Sequence, residues 1–377
     1  MKTFSALNLS PALLTALQQK GYTEPTPIQQ QAIPPILEGR DLFGCAQTGT
    51  GKTAAFSLPI LQRLEATHQP GQRTIKALIL APTRELALQI EENIQSYALH
   101  LSVRHAVIHG GVAQSPQVKQ LRRGVDLLVA TPGRLLDFVH QGLISLQHIR
   151  FFVLDEADKM LDMGFIRDIR KIIALLPTKR QSLFFSATTT KEIMSLANTI
   201  LFRPETVSVT PVKETTDLIQ QFVYYVPREN KRQLLEYILK QNDVGQALVF
   251  TRTKRGADKV VRALTSQGWK AAAIHGNKSQ GARIRALEGF KNKALDVLVA
   301  TDIASRGIDV ENLSHVINYE LPEVAETYVH RIGRTGRAGA QGIAVSFCTE
   351  DDVSYLKDIH QLTKTPMQEV VSHPYGF

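Results

Sequence analysis

Short apolar runs alternate along the chain with longer stretches in which apolar residues recur every three or four positions. The clearest pairs are Leu42–Cys45 with Ala54–Leu64, Val125–Ala130 with Arg134–Gln141, and Ala271–His275 with Arg283–Lys291. The short runs are typical of buried strands, and the longer stretches are typical of amphipathic helices. The alternation predicts an α/β fold whose parallel sheets are covered by helices on both faces.

The same pattern occurs twice. The first half contains Ala77–Leu80, Ile108–Gly110 and Asp126–Thr131, and the second half contains Ala247–Phe250, Ile274–Gly276 and Asp296–Thr301 in the same order. The first and third signals are equally far apart in both halves, which predicts two copies of one α/β unit. The predicted boundaries are 1–209 for the N-terminal domain, 210–216 for a polar linker, and 217–377 for the C-terminal domain. A surface loop is the alternative for the linker.

Composition fits a globular intracellular protein that meets a polyanion. Of the 377 residues, 43% are hydrophobic and 21% are charged, which are ordinary globular values. The 44 basic and 35 acidic residues give a net charge of +9, which favours a polyanion without indicating a site. The two cysteines stand far apart and outside any CxxC motif, so a reducing cytoplasm is expected. Neither a membrane span nor a signal peptide is expected from the apolar runs.

Ala46–Thr53, which reads AQTGTGKT, has the composition of a P-loop between a strand and a helix. Gly49 and Gly51 allow the backbone N–H groups to converge at the helix N-terminus, which attracts phosphate. Lys52 is then expected to reach the β- and γ-phosphates, and the hydroxyl of Thr53 to bind Mg²⁺. The alternative is a glycine-rich turn between core elements.

Two features qualify this P-loop. Ala46 stands where the pattern has its first glycine, and alanine is small enough for the turn to form. The second copy has no such sequence ahead of Ala247, where residues 241–246 read QNDVGQ. The sequence therefore predicts one nucleotide site, to which the second domain contributes other groups.

Phe151–Leu154 is a predicted buried strand followed directly by the acidic segment Asp155–Asp158. This order places carboxylates at the carboxyl edge of a sheet, beside the P-loop. Asp155 is expected to hold Mg²⁺ largely through water, and Glu156 to position or deprotonate the attacking water. A solvated acidic loop or helix cap is the alternative, which the upstream P-loop disfavours.

AQTGTGKT followed by LDEAD resembles the DEAD-box family of ATP-dependent RNA helicases, and the resemblance covers essentially the whole chain. The bacterial RhlE-type enzymes are the most similar subgroup, chiefly in the N-terminal segment. The resemblance implies two tandem RecA-like domains, each with a parallel sheet covered by helices on both faces. It also implies ATP and Mg²⁺ as cofactors and RNA as the partner.

Gly21–Gln29 is similar to the family's Q motif. The amide of Gln29 offers one donor and one acceptor for the N6/N7 edge of adenine, and Thr26 is expected to support it. Tyr22 stands where phenylalanine is common and can stack on the base, and Phe4 matches the upstream aromatic position. The full nucleotide-binding set is Phe4, Tyr22, Thr26, Gln29, Gln47, Thr48, Gly49, Thr50, Gly51, Lys52, Thr53 and Asp309, the last facing the ribose.

Further motifs resemble those that the family turns toward RNA. The residues assigned to RNA are Arg84, Gly110, Gly111, Thr131 and Arg134 in the first half, and Thr253, Gly276, Gln280, Arg283 and Thr301 in the second. Helix caps are the alternative in the first half. Contacts of this kind to the phosphate backbone predict binding without sequence preference.

The remaining motifs concern coupling and the γ-phosphate. Ser186 and Thr188 are expected to form hydrogen bonds to the Asp155–Asp158 segment, with Asp158 and His330 in the same coupling network. Arg331, Arg334 and Arg337 recur every third residue, and the resemblance makes Arg334 and Arg337 arginine fingers on the γ-phosphate. A solvated basic face is the alternative, although the glycines between them suit a plain helix poorly.

The expected function is RNA-stimulated ATP hydrolysis coupled to local, non-processive unwinding of short duplexes or to remodelling of RNA–protein complexes. An ATP-gated RNA clamp is the alternative, and a DNA translocase is disfavoured by the adenine motif and the acidic segment. Single-stranded RNA and short duplexes are the expected partners, ribosomal and RNA-decay complexes are candidates, and the core is expected to be monomeric. The chain stops at HPYGF without the basic tail common in RhlE-type enzymes, which suggests a trimmed or minimal form.

Overall fold

The computed structural model describes residues 3–47, 49–67, 73–209, 219–241, 244–302, 313–336 and 342–376. The chain divides into two compact units, Met1–Thr210 and Pro211–Phe377. The predicted linker, 210–216, lies outside the described residues. Within the described ranges, no helix combines the length and the apolar character that crossing a bilayer requires.

The N-terminal unit is built around one parallel sheet. Its strands are β1 (Leu42–Cys45), β2 (Ala77–Leu80), β3 (His105–Ile108), β4 (Leu127–Ala130), β5 (Phe151–Leu154), β6 (Gln181–Ser186) and β7 (Glu205–Ser208). They lie in the order β3-β4-β2-β5-β6-β1-β7, and every pairing is parallel. Most of these strands are apolar on both faces, because helices pack on both sides.

The helices of this unit follow the strands in alternation. They are α1 (Pro11–Gln19), α2 (Pro27–Leu37), α3 (Lys52–Ala66), α4 (Arg84–Tyr97), α5 (Gln114–Arg122), α6 (Pro132–His140), α7 (Ala157–Asp162), α8 (Ile166–Leu175) and α9 (Lys191–Ile200). A short 3-10 turn, Phe4–Leu7, precedes them and packs its apolar side chains into the core.

The C-terminal unit repeats this architecture. Its strands are β8 (Ile219–Tyr225), β9 (Ala247–Thr251), β10 (Ala271–Ile274), β11 (Val297–Thr301), β12 (His315–Asn318), β13 (Gly342–Cys348) and β14 (Gln368–Val370). Its helices are α10 (Lys231–Leu239), α11 (Lys254–Ser266), α12 (Gln280–Lys291), α13 (Ala325–Ile332) and α14 (Val353–Thr363). The strand order, β10-β11-β9-β12-β13-β8-β14, matches the first sheet strand for strand. The predicted fold is confirmed.

The topology corrects one detail of the repeat. Strand β8 occupies the place of β1, so the counterpart of the P-loop is the segment 226–230 that follows β8. The sequence analysis expects this counterpart at 241–246, directly ahead of Ala247. The apolar run at β9 matches the run at β2, but the repeat pattern does not identify β8 as the counterpart of β1. The corrected segment reads VPREN and also lacks a P-loop sequence.

Candidate nucleotide and RNA site

Three segments predicted to serve one reaction meet at the carboxyl edge of the N-terminal sheet. Strands β5, β6 and β1 are neighbours, and they lead to Asp155, to Ser186 and to the P-loop Ala46–Thr53, respectively. This edge is where parallel α/β sheets bind ligands. Nζ of Lys52 lies 3.9 Å from Oδ1 of Asp155, and the two side chains are only 6% and 2% exposed.

The P-loop enters α3 through two glycines with left-handed backbone. Gly49 has a φ of 85° and Gly51, directly before the helix, has a φ of 93°. Lys52 is the first residue of the helix, and its Nζ donates a hydrogen bond to the carbonyl oxygen of Ala46 at 3.0 Å. The lysine thus closes the loop on itself, and a phosphate would replace the Ala46 carbonyl as its partner.

The other P-loop side chains lie around this turn. The hydroxyl of Thr50 donates to the carbonyl oxygen of Gln47 at 2.7 Å, which stabilises the loop from within. Thr53 is the second residue of α3 and is half-buried at the edge of the site. Thr48 lies outside the described residues.

The amide of Gln29 connects the Q motif to the P-loop. Its Oε1 accepts a hydrogen bond from the N–H of Thr26 at 2.9 Å, and its Nε2 donates to the carbonyl oxygen of Gly51 at 3.2 Å. An amide group has two donors and two acceptor lone pairs, so one of each remains for a ligand. The rings of Phe4 and Tyr22 stack on each other, with their centroids 6.4 Å apart. The proposed adenine reader therefore also contacts the proposed phosphate loop.

Lys159 is a residue of the acidic segment that the sequence reasoning missed. Its Nζ lies 2.7 Å from Oε1 of Glu156, and both side chains are buried. Glu156 has a φ of 53°, a left-handed conformation that costs a residue other than glycine about 1–3 kcal/mol and that clusters at functional sites. The only signal in the sequence was the spacing of three residues at a helix start, which does not reveal burial.

Asp155 is held in surroundings that disfavour its charge. Burial raises the pKa of Asp155 to about 6, although the neighbouring Lys52 ammonium acts in the opposite direction. The N–H of Glu156 donates to Oδ1 of Asp155 at 3.0 Å. A carboxylate in this position gains stability from any additional cation brought to it.

A backbone group joins the segment after β6 to the acidic segment. Oδ2 of Asp158 accepts a hydrogen bond from the N–H of Ala187 at 3.1 Å, whereas Oγ of Ser186 accepts from the N–H of Thr188 at 3.2 Å. The sequence analysis assigns the hydrogen bonds to the acidic segment to Ser186 and Thr188. In the described structure the hydroxyl of Ser186 shapes the turn, and the turn presents Ala187 to Asp158.

The residues assigned to RNA in the first half gather at the ends of the adjacent strands β2, β4 and β3. They are Arg84, Gly110, Gly111, Thr131 and Arg134. Gly111 has a φ of 77° and lies so close to the Arg84 guanidinium that a Cβ atom would collide with it. Nη2 of Arg134 donates to the carbonyl oxygen of Val112 at 3.2 Å. The cations and the glycine backbone are therefore brought together on one edge.

The second half repeats this arrangement at β9, β11 and β10. The residues concerned are Thr253, Gly276, Gln280, Arg283 and Thr301. Oγ1 of Thr253 accepts a hydrogen bond from the N–H of Gly256 at 3.0 Å, as Oγ1 of Thr83 does from Leu86 at 3.2 Å in the first half. Thr253 is thus a helix cap, and a cap at this edge can also face a phosphate.

The arginines of the last motif occupy different environments. Arg331 is 2% exposed, and its Nε and Nη2 lie 2.6 and 2.7 Å from the two carboxylate oxygens of Asp302. Its Nη1 donates to Oδ1 of Asn318 at 3.0 Å, so Arg331 is part of the core. Arg334 is buried close to the start of β12. His330 is half-buried on α13. Arg337 and Asp309 lie outside the described residues.

Comparison with known families finds matches along most of the chain. The DEAD/DEAH box helicase model matches residues 26–196, and the helicase conserved C-terminal domain model matches residues 230–339. The first range contains the Q motif from Thr26, the P-loop and the acidic segment, and the second contains the arginine motif.

Individual relatives agree with the family models. The chain is 44% identical to the ATP-dependent RNA helicase CshA of Limosilactobacillus reuteri, over 97% of this chain and 72% of that protein. It is 44% identical to DEAD-box ATP-dependent RNA helicase 30 of Arabidopsis thaliana, over 98% of this chain and 63% of that protein. The RhlE-type subgroup stays a prediction.

A solved structure matches the fold over nearly the full chain. Dbp5 of S. cerevisiae bound to RNA and ADP BeF3 superimposes with a TM-score of 0.87 at 31% identity, covering 98% of this chain and 96% of that one.

Proposed function

The chain belongs to the DEAD-box family of ATP-dependent RNA helicases, and we propose that it couples RNA-stimulated ATP hydrolysis to local, non-processive unwinding of short RNA duplexes or to remodelling of RNA–protein complexes. The observation that carries this proposal is the sharing of one sheet edge. Lys52 and Asp155 lie beyond β1 and β5, and Arg84 and Gly111 lie beyond β2 and β3 of the same sheet. One rigid sheet therefore supports both the nucleotide residues and the RNA residues.

In the proposed mechanism the N-terminal unit holds ATP. Lys52 exchanges the Ala46 carbonyl for the β- and γ-phosphates, and Gln29 reads adenine with its remaining donor and acceptor. Glu156 orients the attacking water and accepts its proton. Arg334 and Arg337 stabilise the charge that develops on the γ-phosphate, and Asp309 contacts the ribose.

The residues present fit a Mg²⁺ ion. Asp155 and Thr53 offer oxygen atoms, which are the ligands that Mg²⁺ prefers, and substrate phosphates and water complete such sites. Burial of the Asp155 carboxylate favours a cation beside it. Within the described ranges no cluster of three or more histidine, cysteine or acidic residues is arranged around a metal, which suits an ion held mainly by phosphate and water. When bound, the ion neutralises charge on the phosphates.

RNA is proposed to lie along the carboxyl edges described above. The assigned groups are arginines, threonines and glycine backbone in both units, together with the amide of Gln280 in the second, and such groups can contact phosphate without reading bases. Affinity should therefore fall with salt and depend little on sequence. We propose that bending of the bound strand displaces a few base pairs, that the core acts as a monomer in the cytoplasm, and that ribosomal or RNA-decay complexes are its context.

The test compares ATP hydrolysis with no nucleic acid, with single-stranded RNA and with single-stranded DNA of equal length, together with unwinding of a short RNA duplex. We expect stimulation by RNA only, and strand separation that requires ATP. Equal stimulation by DNA would favour a translocase. Stimulated hydrolysis without any strand separation would favour the clamp.

Replacing Gln29 with alanine should reduce the preference for ATP over GTP about tenfold or more, because two hydrogen bonds of about 0.5–1.5 kcal/mol each to adenine are lost. Affinities for both nucleotides are measured by competition. Gln30→Ala is the matched control, since Gln30 lies beside it on α2 but bonds the carbonyl oxygen of Pro25 at 2.7 Å. Unchanged selectivity in Gln29→Ala would remove the adenine assignment.

A further inference from the structure

The C-terminal unit contains a cavity of about 880 Å³ at the carboxyl edge of its sheet, between the first turns of α10 and α11. This volume lies within the range of ligand sites in proteins. Six basic and four acidic side chains line it. The basic ones are Arg228, Lys231, Arg232, Arg252, Lys259 and Arg262. None of these residues belongs to the nucleotide or RNA sets described above.

The cavity is the internal counterpart of the nucleotide site. Strand β8 takes the place of β1, and Lys231 is the first residue of α10 as Lys52 is the first residue of α3. Each lysine is buried near a carboxylate, although the two carboxylates follow strands that do not correspond. Asp155 follows β5, whereas Asp352, whose Oδ2 lies 3.3 Å from Nζ of Lys231, follows β13, the counterpart of β6. The start of α10 is therefore the topological counterpart of the start of α3.

This counterpart has lost what a nucleotide triphosphate needs. Segment 226–230 contains no glycine, so it has none of the permissive positions with which the P-loop turns its N–H groups toward phosphate. Lys231 is already engaged by Asp352, which also accepts hydrogen bonds from Arg252 and from the hydroxyl of Thr349. At the floor of the cavity the basic and acidic side chains thus neutralise one another. Any remaining attraction for phosphate comes from the side chains at the rim.

The rim carries an excess of positive charge. Arg228, Arg232, Lys259 and Arg262 are exposed there, against the exposed acids Glu229 and Asp351. Lys259 and Arg262 are three residues apart on α11, which places them on one face about 4.5 Å apart along the helix axis. Such a row of flexible cations suits a chain of phosphates better than a single compact anion.

The cavity is also continuous with the proposed RNA path. Thr253 and Gly256, at the start of α11, line it. We propose that the cavity binds the phosphodiester backbone of the RNA nucleotides that adjoin those held by Thr253, so that the C-terminal unit grips a longer strand than its motif residues alone. This inference rests on the proposed function, because Thr253 is an RNA contact only within it.

The test measures affinity as a function of strand length. The short strand is the shortest oligouridine that fully stimulates ATP hydrolysis, and the long strands extend it by a few nucleotides at the 5′ or at the 3′ end. Binding is followed by fluorescence anisotropy with a non-hydrolysable ATP analogue across a salt series. Extension at one end should tighten binding by the full chain, and the slope of log affinity against log salt should steepen by about 1.4, or about 0.7 for each of two added phosphate contacts.

The variant Lys259→Ala with Arg262→Ala should lose the gain from extension while keeping wild-type affinity for the short strand. The matched control, Lys240→Ala with Lys270→Ala, removes two exposed cations, one at the C-terminal end of α10 and one directly before β10, and should keep both affinities.

Equal affinity of the wild type for short and long strands would overturn the inference. So would equal loss in variant and control, or a gain from extension that the variant Lys259→Ala with Arg262→Ala keeps in full. Failure of oligouridine of any length to stimulate hydrolysis would instead overturn the proposed function, so the two failures are distinguishable.

Discussion

Replacing Glu156 with glutamine should lower the rate of ATP hydrolysis by about two to three orders of magnitude, the contribution typical of a positioned general base. Glutamine has nearly the same shape and keeps an oxygen that can accept from Lys159, which lies 2.7 Å from Oε1 of Glu156. The charge is lost and the geometry is retained. ATP and RNA should therefore still bind. The complex with both should persist, because ATP is no longer hydrolysed and the RNA is not released.

Single-turnover hydrolysis and the dissociation rate of labelled RNA in the presence of ATP measure the two halves of this prediction. Glu192→Gln is the matched control, since Glu192 is an exposed glutamate in the first turn of α9. The control should hydrolyse ATP at the wild-type rate. Normal turnover in Glu156→Gln would show that Glu156 is not the general base. Loss of ATP binding would show that the charge of Glu156 is needed to bind ATP.

The strand–helix units and the two-fold repeat followed from the sequence, because apolar periodicity and motif spacing are local properties. Leu42–Cys45 and Phe151–Leu154 were delimited without error, since each buried strand ends abruptly at polar residues. The place of β8 was not found, because strand order depends on pairing between segments far apart in the chain. Its sequence resembles β1 too little for the repeat to reveal it.

The sequence predicts which residues belong to the site more completely than it predicts the contacts between them. Residue types and spacing brought Lys52 and Asp155 into one hypothesis, and the family resemblance added Gln29. They did not show that the Gln29 amide donates to Gly51, or that Lys159 is buried against Glu156. Both contacts depend on where tertiary packing excludes water, and one sequence carries little information about that.

The arginine motif gives the sharpest contrast between pattern and structure. The sequence shows three arginines at equal intervals, whereas the structure buries Arg331 against Asp302, Asn318 and the carbonyl oxygen of Glu320. Every nitrogen of this guanidinium has a partner within the C-terminal unit. Arg331 therefore holds β11, β12 and α13 together, and its contacts are structural ones within the C-terminal unit.

Replacing Arg331 with methionine should destabilise the C-terminal unit by about 3–5 kcal/mol, because a buried guanidinium that pairs with Asp302 and also bonds Asn318 and Glu320 is removed. For a unit of this size the loss corresponds to a fall in its melting temperature of about 10 °C. Thermal unfolding of the full chain, followed with and without ATP and RNA, measures the change.

Arg331→Lys separates charge from geometry. Lysine keeps the positive charge but lacks the planar fork that meets both oxygens of Asp302, so it should recover only part of the stability. In the double variant Arg331→Met with Asp302→Asn the losses should not add, because both changes remove the same ion pair. Below its lowered melting temperature, Arg331→Met should retain most of its ATP hydrolysis. A variant that melts like the wild type but hydrolyses no ATP would contradict this prediction. It would indicate that Arg331 contacts the phosphates, as Arg334 and Arg337 are expected to do.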